Sequence, residues 1–206
     1  MIRDPKDLKR YEPKERANHW VVGISFILLA LSGLAFFHPA FFPLTQLFGG
    51  PTWARIIHPY IGVIMALSFL GLYVRFKHLN KMTPADKEWL GKVGQMVDGD
   101  DHNMPEQGKY NGGQKVMFWA LAVCMLLMTV SGILIWRAYF GFDITLVRLG
   151  AVVHAAAGAV MIGLIMVHVY AAIWVKGTIR AMWYGTVTRA WAKQHHRGWY
   201  RQMTGK

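Results

Sequence analysis

The chain carries one cysteine, Cys124, in 206 residues. A single thiol excludes an internal disulfide. It also excludes an iron–sulfur cluster held by this chain alone, which needs about four thiolates. There is no Cys-x-x-Cys-His, so covalent c-type haem attachment is excluded too. Acidic residues are scarce: 11 Asp and Glu stand against 23 Lys and Arg, giving a net charge of +12, and none follows Asp143. Charge of either sign is missing from four long stretches: Trp20–Phe37, Ile56–Val74, Val116–Trp136 and Gly150–Val175. A soluble domain interrupts its apolar runs more often. Each stretch is long enough to cross about 30 Å of hydrocarbon as a helix. The first lacks the small-residue cleavage site of a signal peptide and reads as a retained span. Cys124, midway along the third, reads as a small buried apolar residue.

The expected fold is therefore an all-α integral membrane protein, a four-transmembrane-helix bundle in one domain over 1–206. The spans are placed at about 13–37, 53–78, 115–137 and 149–178, with a loop at 79–114 and a tail at 179–206. The basic residues orient them. Six precede the first span (Arg3, Lys6, Lys9, Arg10, Lys14, Arg16), seven lie from Arg75 to Lys115, and seven run from Lys176 to Lys206. The other two loops hold only Arg55, Arg137 and Arg148. This bias reflects membrane orientation, not nucleic-acid binding. It predicts both termini and the long loop on the cytoplasmic side. The loop at 79–114 contains an amphipathic piece, Pro84–Val97, and the Phe-, Pro- and Gly-rich segment 38–55 a short interfacial helix. The tail alternates aromatic and basic residues (Trp183, Tyr184, Arg189, Trp191, Lys193, Trp199, Tyr200, Arg201) and is expected against membrane lipid headgroups. Docking on a cytoplasmic partner is the other reading of the tail.

Topology gives each of the nine histidines a depth. His154 and His168 lie fourteen residues apart in the fourth stretch, close to four turns, so they share a helix face about 21 Å apart along the axis. His58 starts the second span at the level of His154, and His19 lies in the first span at the level of His168. Two pairs result, His58/His154 outside and His19/His168 inside. Each can supply two axial imidazoles to a six-coordinate b-type haem iron, a closed site suited to electron transfer. The alternative for an intramembrane histidine is an interhelical hydrogen bond. His38, His78, His102, His195 and His196 fall in loops or the tail and are expected to be solvated or headgroup-facing. Arg55, Arg137 and Arg148 are candidate partners for the outer haem propionates, or contacts for headgroups or another protein. Ser32-Gly33 and Ser131-Gly132 echo each other near the outer ends of two spans. They allow close approach of a flat ligand, or ordinary helix packing. Before the third span, Asn111, Gly113 and Gln114 offer amides at the membrane edge, where a quinone can be bound. The same residues also read as a polar helix cap.

Five segments carry a resemblance: Glu15-Arg-Ala-Asn-His-Trp20, Arg55-Ile-Ile-His-Pro59, Tyr110-Asn-Gly-Gly-Gln-Lys115, Ser131-Gly-Ile-Leu-Ile-Trp-Arg137 and His168-Val-Tyr-Ala-Ala-Ile-Trp-Val-Lys-Gly-Thr178. Together with the tail Trp191–Tyr200, they resemble the cytochrome b (gamma) subunit of respiratory, membrane-bound formate dehydrogenase. The resemblance implies His19, His58, His154 and His168 as ligands of two b haems. It also implies a menaquinone or ubiquinone site at Asn111, Gly113, Gln114 and His168. The implied partners are an iron–sulfur beta subunit with its own transmembrane helix and a molybdenum- or tungsten-pterin catalytic alpha subunit. An oligomer of heterotrimers and the bacterial inner membrane follow from it as well. Two other readings stand beside it. One is the di-haem anchor of a hydrogenase or thiosulfate-reductase-like complex; the other is a haem-free transporter with a histidine proton relay.

Overall fold

The computed structural model describes residues 4, 6–98, 103–137 and 139–205. Four helices carry the apolar stretches: α1 (Pro13–Phe37), α2 (Pro51–Phe76), α5 (Gly112–Ile135) and α6 (Ile144–Trp174). All four are long and apolar enough to cross a membrane, the second continued to Asn80 by a 3-10 turn. Large apolar side chains such as Ile27, Leu67, Leu126, Val152 and Met166 stand exposed along them. Helices that are apolar all round are stable where the surroundings are hydrocarbon. Among the described residues the chain has four membrane-spanning helices.

Local chemistry sets several ends. Pro13 begins α1, where its missing N–H costs nothing. Asp143 accepts from the Thr145 N–H at 2.7 Å, so α6 already starts at Ile144, six residues before the uncharged stretch begins at Gly150. A 3-10 helix over Pro39–Phe48 fills the segment before α2, with His38 Nδ1 accepting the Ala40 N–H at 3.2 Å. The amphipathic piece is two short helices, α3 (Pro84–Gly91) and α4 (Val93–Val97), parted at Lys92. Thr83 and Asp86 cap α3 reciprocally.

The chain divides into two compact units. The helix unit comprises Ala17–Tyr73 and Ala120–Val167. Its core gathers Met65, Cys124, Met125 and Met161, flanked by Val22, Phe26, Leu29, Phe69 and Leu164. Flexible thioethers fill the irregular space between helices. Asn18 Nδ2 donates to the Ser68 carbonyl at 3.0 Å, beside Gly71, where a Cβ would come within 3.1 Å of that nitrogen.

The loop-and-tail unit comprises Met1–Arg16, Val74–Trp119 and His168–Lys206. Its strands β1 (Leu8–Lys9) and β2 (Thr186–Val187) pair antiparallel, Leu8 opposite Val187. The tail helices α7 (Thr178–Tyr184), α8 (Arg189–His195) and α9 (Arg197–Thr204) close over Leu8, Ala181, Val187, Trp191, Ala192 and Trp199. This corrects two sequence expectations. Trp191 and Trp199 are not spread on a headgroup surface, because they form the core that lets the tail fold on the N-terminal strand. His196 is not solvated: it is 1% exposed. Its Nδ1 faces the Gly108 carbonyl at 2.8 Å, and its Nε2 lies 3.4 Å from the Arg10 guanidinium. Exposed residues of the tail include Trp183, Arg189, Lys193, Arg197 and Arg201. His38 and His78 are exposed and His195 half-buried. His102 lies outside the described residues.

Candidate functional site

In the helix unit, α2 and α6 bring His58 and His154 together, with ring centroids 6.2 Å apart and planes at 64°. That spacing leaves room for one metal ion bonded to both rings at about 2.0 Å from each nitrogen. Each ring is held from behind by a serine on a third or fourth helix. Ser32 Oγ of α1 lies 2.7 Å from His58 Nδ1, and Ser131 Oγ of α5 lies 2.9 Å from His154 Nδ1. With each Nδ1 engaged, Nε2 is the nitrogen left to bind a metal. Glycines flank the rings: a Cβ on Gly33 would lie 3.6 Å from His58 Cε1, and one on Gly132 3.4 Å from His154 Cε1. Neutral imidazole is a good ligand for iron, so the donor set fits a six-coordinate haem. Pro59 directly follows His58 inside α2 and removes one backbone donor from the helix.

The three candidate propionate partners all lie in the helix unit. Arg55, on the first turns of α2, is exposed with its guanidinium 5.8 Å from the Phe36 ring centroid. Arg137, two residues past α5, and Arg148, in the first turns of α6, are exposed as well. Near Tyr60, the Tyr60 and Tyr139 hydroxyls meet at 2.6 Å beside the Trp136 ring.

His19, on α1, belongs to the helix unit and packs edge-on to Trp20 with centroids 5.9 Å apart. His168, on α6, belongs to the loop-and-tail unit and is exposed.

The segment proposed from sequence to border a quinone opens α5. Asn111 Oδ1 accepts the Gln114 N–H at 2.9 Å, and Gln114 Oε1 accepts the Asn111 N–H at 3.1 Å. This reciprocal bond is a helix cap, so both amide oxygens have a structural task; each amide retains an NH2 donor group. Gly112 and Gly113 seat the helix start on α3. A Cβ at Gly112 would fall 2.6 Å from the Asp86 carbonyl, and one at Gly113 would fall 3.0 Å from the Trp89 ring. Below them Lys115 Nζ meets Asp86 Oδ2 at 2.6 Å in a buried ion pair. Burial pushes the Asp86 carboxyl up, but hydrogen bonds from Lys115 and Thr83 outweigh it and hold the carboxyl below its usual range. Tyr110 next to this turn is held well above the ordinary phenol range, mainly by burial.

The sequence reading missed Ser32 and Ser131 as partners of the histidines. Their signal was present in the repeated Ser-Gly step, taken there as room for a ligand or for packing. A different metal chemistry needs several ligands at one place, and among the described residues no three His, Cys, Asp or Glu side chains gather that way.

Known proteins resemble this chain over most of its length. The prokaryotic cytochrome b561 family matches residues 10–185. The cytochrome b556 subunit of the nitrate-inducible formate dehydrogenase of Escherichia coli K12 is 44% identical over 191 residues, covering 92% of this chain and 88% of its own length. A second formate dehydrogenase cytochrome b556 subunit of the same strain is 45% identical over 196 residues, 94% of this chain and 92% of its own length. The formate dehydrogenase cytochrome b556 subunit of Haemophilus influenzae is 39% identical over 195 residues, 94% of this chain and 82% of its own length. A b-type haem protein of the membrane is what these matches and the paired histidines have in common, and a haem-free transporter does not fit them. The chain belongs to the prokaryotic cytochrome b561 family, with cytochrome b556 subunits of formate dehydrogenases among its relatives.

Proposed function

We propose that the chain is the membrane cytochrome b subunit of a formate dehydrogenase, carrying electrons between an iron–sulfur subunit and a membrane quinone. The observation that carries this reading is the His58–His154 pair, 6.2 Å between ring centroids and braced by Ser32 and Ser131. The names of the 44–45% identical relatives support formate dehydrogenase over a hydrogenase or thiosulfate-reductase-like complex.

In this reading His58 and His154 hold one b haem, and His19 and His168 hold a second about four turns along α6. Bound there, haem supplies reversible one-electron transfer without an open coordination site. Arg55, Arg137 and Arg148 offer positive charge for propionates or for the surface of the iron–sulfur partner. The polar turn Asn111–Gln114, with His168, receives the quinone. There the cap keeps α5 rigid while the amide NH2 groups of Asn111 and Gln114 donate to quinone oxygens. The distribution of Lys and Arg supports a cytoplasmic side for this turn and both termini, from which the quinone draws its protons. The partners are a beta subunit with its own transmembrane helix and a molybdenum- or tungsten-pterin alpha subunit that oxidises formate. Heterotrimers of the three associate further in the bacterial inner membrane.

Purified complex tests this directly. Two b haems per chain by pyridine haemochrome, both reduced by formate and reoxidised by added quinone, are expected. One haem per chain, or a nickel-containing partner without formate-dependent quinone reduction, overturns the reading. His168→Ala is expected to remove one haem and impair quinone reduction; retention of both haems with normal turnover overturns the inner pairing.

A further inference from the structure

The His58–His154 site is assembled twice from the same local pattern. Ser32 precedes Gly33 on α1, and Ser131 precedes Gly132 on α5. Both serines are buried, Ser32 at 0% and Ser131 at 2% exposure. Ser32 Oγ reaches the Leu28 carbonyl at 2.8 Å and His58 Nδ1 at 2.7 Å. Ser131 Oγ reaches the Leu127 carbonyl at 2.6 Å and His154 Nδ1 at 2.9 Å. A hydroxyl has one proton, and a carbonyl can only accept. Each serine therefore gives its proton to the carbonyl one turn earlier, and its oxygen accepts Nδ1–H of the facing histidine; His154 also hydrogen-bonds the Met128 backbone. Both imidazoles are thereby assigned the Nδ1–H tautomer, with the Nε2 lone pair available for a metal. The glycine that follows each serine leaves the ring edge lying over bare backbone, 3.4–3.6 Å from where a Cβ would be.

We propose that Ser32 and Ser131 are a duplicated pair of positioning residues that select the ligating nitrogen and lower the reduction potential of the haem held by His58 and His154. The proposal rests on the assignment of that haem above. An Nδ1–H that donates to an oxygen makes the imidazole a stronger base toward the metal. Stronger donation favours the oxidised iron, so the braced site is harder to reduce than the same site without its serines. Two serines acting from opposite sides of the metal make the effect additive on one centre.

The test is potentiometric titration of the haem spectra in the intact complex. Ser32→Ala and Ser131→Ala are each expected to raise the midpoint potential of one haem, the same haem in both, and to leave the other unmoved. The double variant is expected to shift it further, with weaker haem retention; loss of such an outer partner typically costs about 10- to 100-fold in metal affinity. Ser→Thr keeps the hydroxyl and is expected to restore the potential. The alanine variants are smaller than the native residue and need no rearrangement, so they carry the test even where the crowded threonine fails to assemble. Unchanged potentials at full haem content, or shifts on two different haems, overturn the role of the serines. His58→Ala and His154→Ala separate this from the underlying assignment. If both remove the same haem, a negative serine result counts against the serines alone. If they remove different haems, the pairing falls, and the inference with it.

Discussion

The two units solve the same problem, satisfying polar groups away from water, in opposite ways. The loop-and-tail unit uses charge. Asp7–Arg180 and Asp86–Lys115 are buried within it, and the buried Glu15 meets the more exposed Arg75. Arg10 is caged by aromatic rings, 4.9 Å from the centroids of both Trp191 and Trp199, and donates to the Lys109 carbonyl. The helix unit relies on small hydroxyls turned back on their own helices: Ser32, Ser131 and Thr129 each bond a carbonyl one turn earlier. An ion pair in hydrocarbon meets a desolvation cost that a serine avoids. The helix unit thus meets its polar atoms with neutral groups and sets two of them, Ser32 and Ser131, at the histidines. The loop-and-tail unit can afford many.

The widest separation of the two units is expected from His58→Ala. Under the proposed function it removes one haem of the complex outright and abolishes formate-dependent quinone reduction, while the loop-and-tail unit keeps its fold; haem stoichiometry and tail proteolysis read the two effects. Lys115→Met is the converse. It leaves Asp86 buried without its cation, which typically costs about 3–5 kcal/mol. Thermal denaturation should show early melting of the loop-and-tail unit, with the spectrum of the His58–His154 haem unchanged. A shifted spectrum would mean that the units are not energetically separate.

Acid sharpens the contrast further. Burial, then the neighbouring Arg10 charge, pushes His196 down to about 3, against about 6.5 for a free imidazole. Between those values the unfolded chain binds the extra proton, so stability falls as pH is lowered from about 6.5 toward about 3. The slope is up to about 1.4 kcal/mol per pH unit, and a His196→Gln variant should flatten it in a pH series of melting temperatures. Asp86 adds to the loss at the acid end, because its lowered carboxyl stabilises the fold until pH falls through its folded value. The smallest effect is expected from Asn111→Leu, which removes the α5 cap at a cost of about 1 kcal/mol. Both haem spectra should persist while quinone-site inhibitors bind more weakly; unchanged inhibitor binding would leave Asn111 a cap alone.

Much of the helix unit is legible in the sequence. The uncharged stretches gave the spans, and the depth of His58 and His154 brought them to one level. The serine partners were visible only as a repeated dipeptide, because which face of α1 meets α2 depends on helix rotation. Trp191 and Trp199 were misplaced because alternating aromatic and basic residues suit a membrane surface as well as a small core. Only the pairing of β1 with β2, and Arg10 beneath Trp191 and Trp199, distinguishes the two. For Asn111 and Gln114 the sequence allows either a cap or a ligand contact, and the cap is present in the hydrogen bonds.

Composition by itself determined the four helices, since a chain crossing hydrocarbon must satisfy every backbone group internally and has few ways to do so. Tertiary structure decided which side chains meet: Ser32 with His58, Ser131 with His154, His196 with Arg10 and the Gly108 carbonyl. Those contacts join residues 23 to 186 positions apart. They depend on how whole helices and loops pack, which no local pattern of apolar and polar residues specifies.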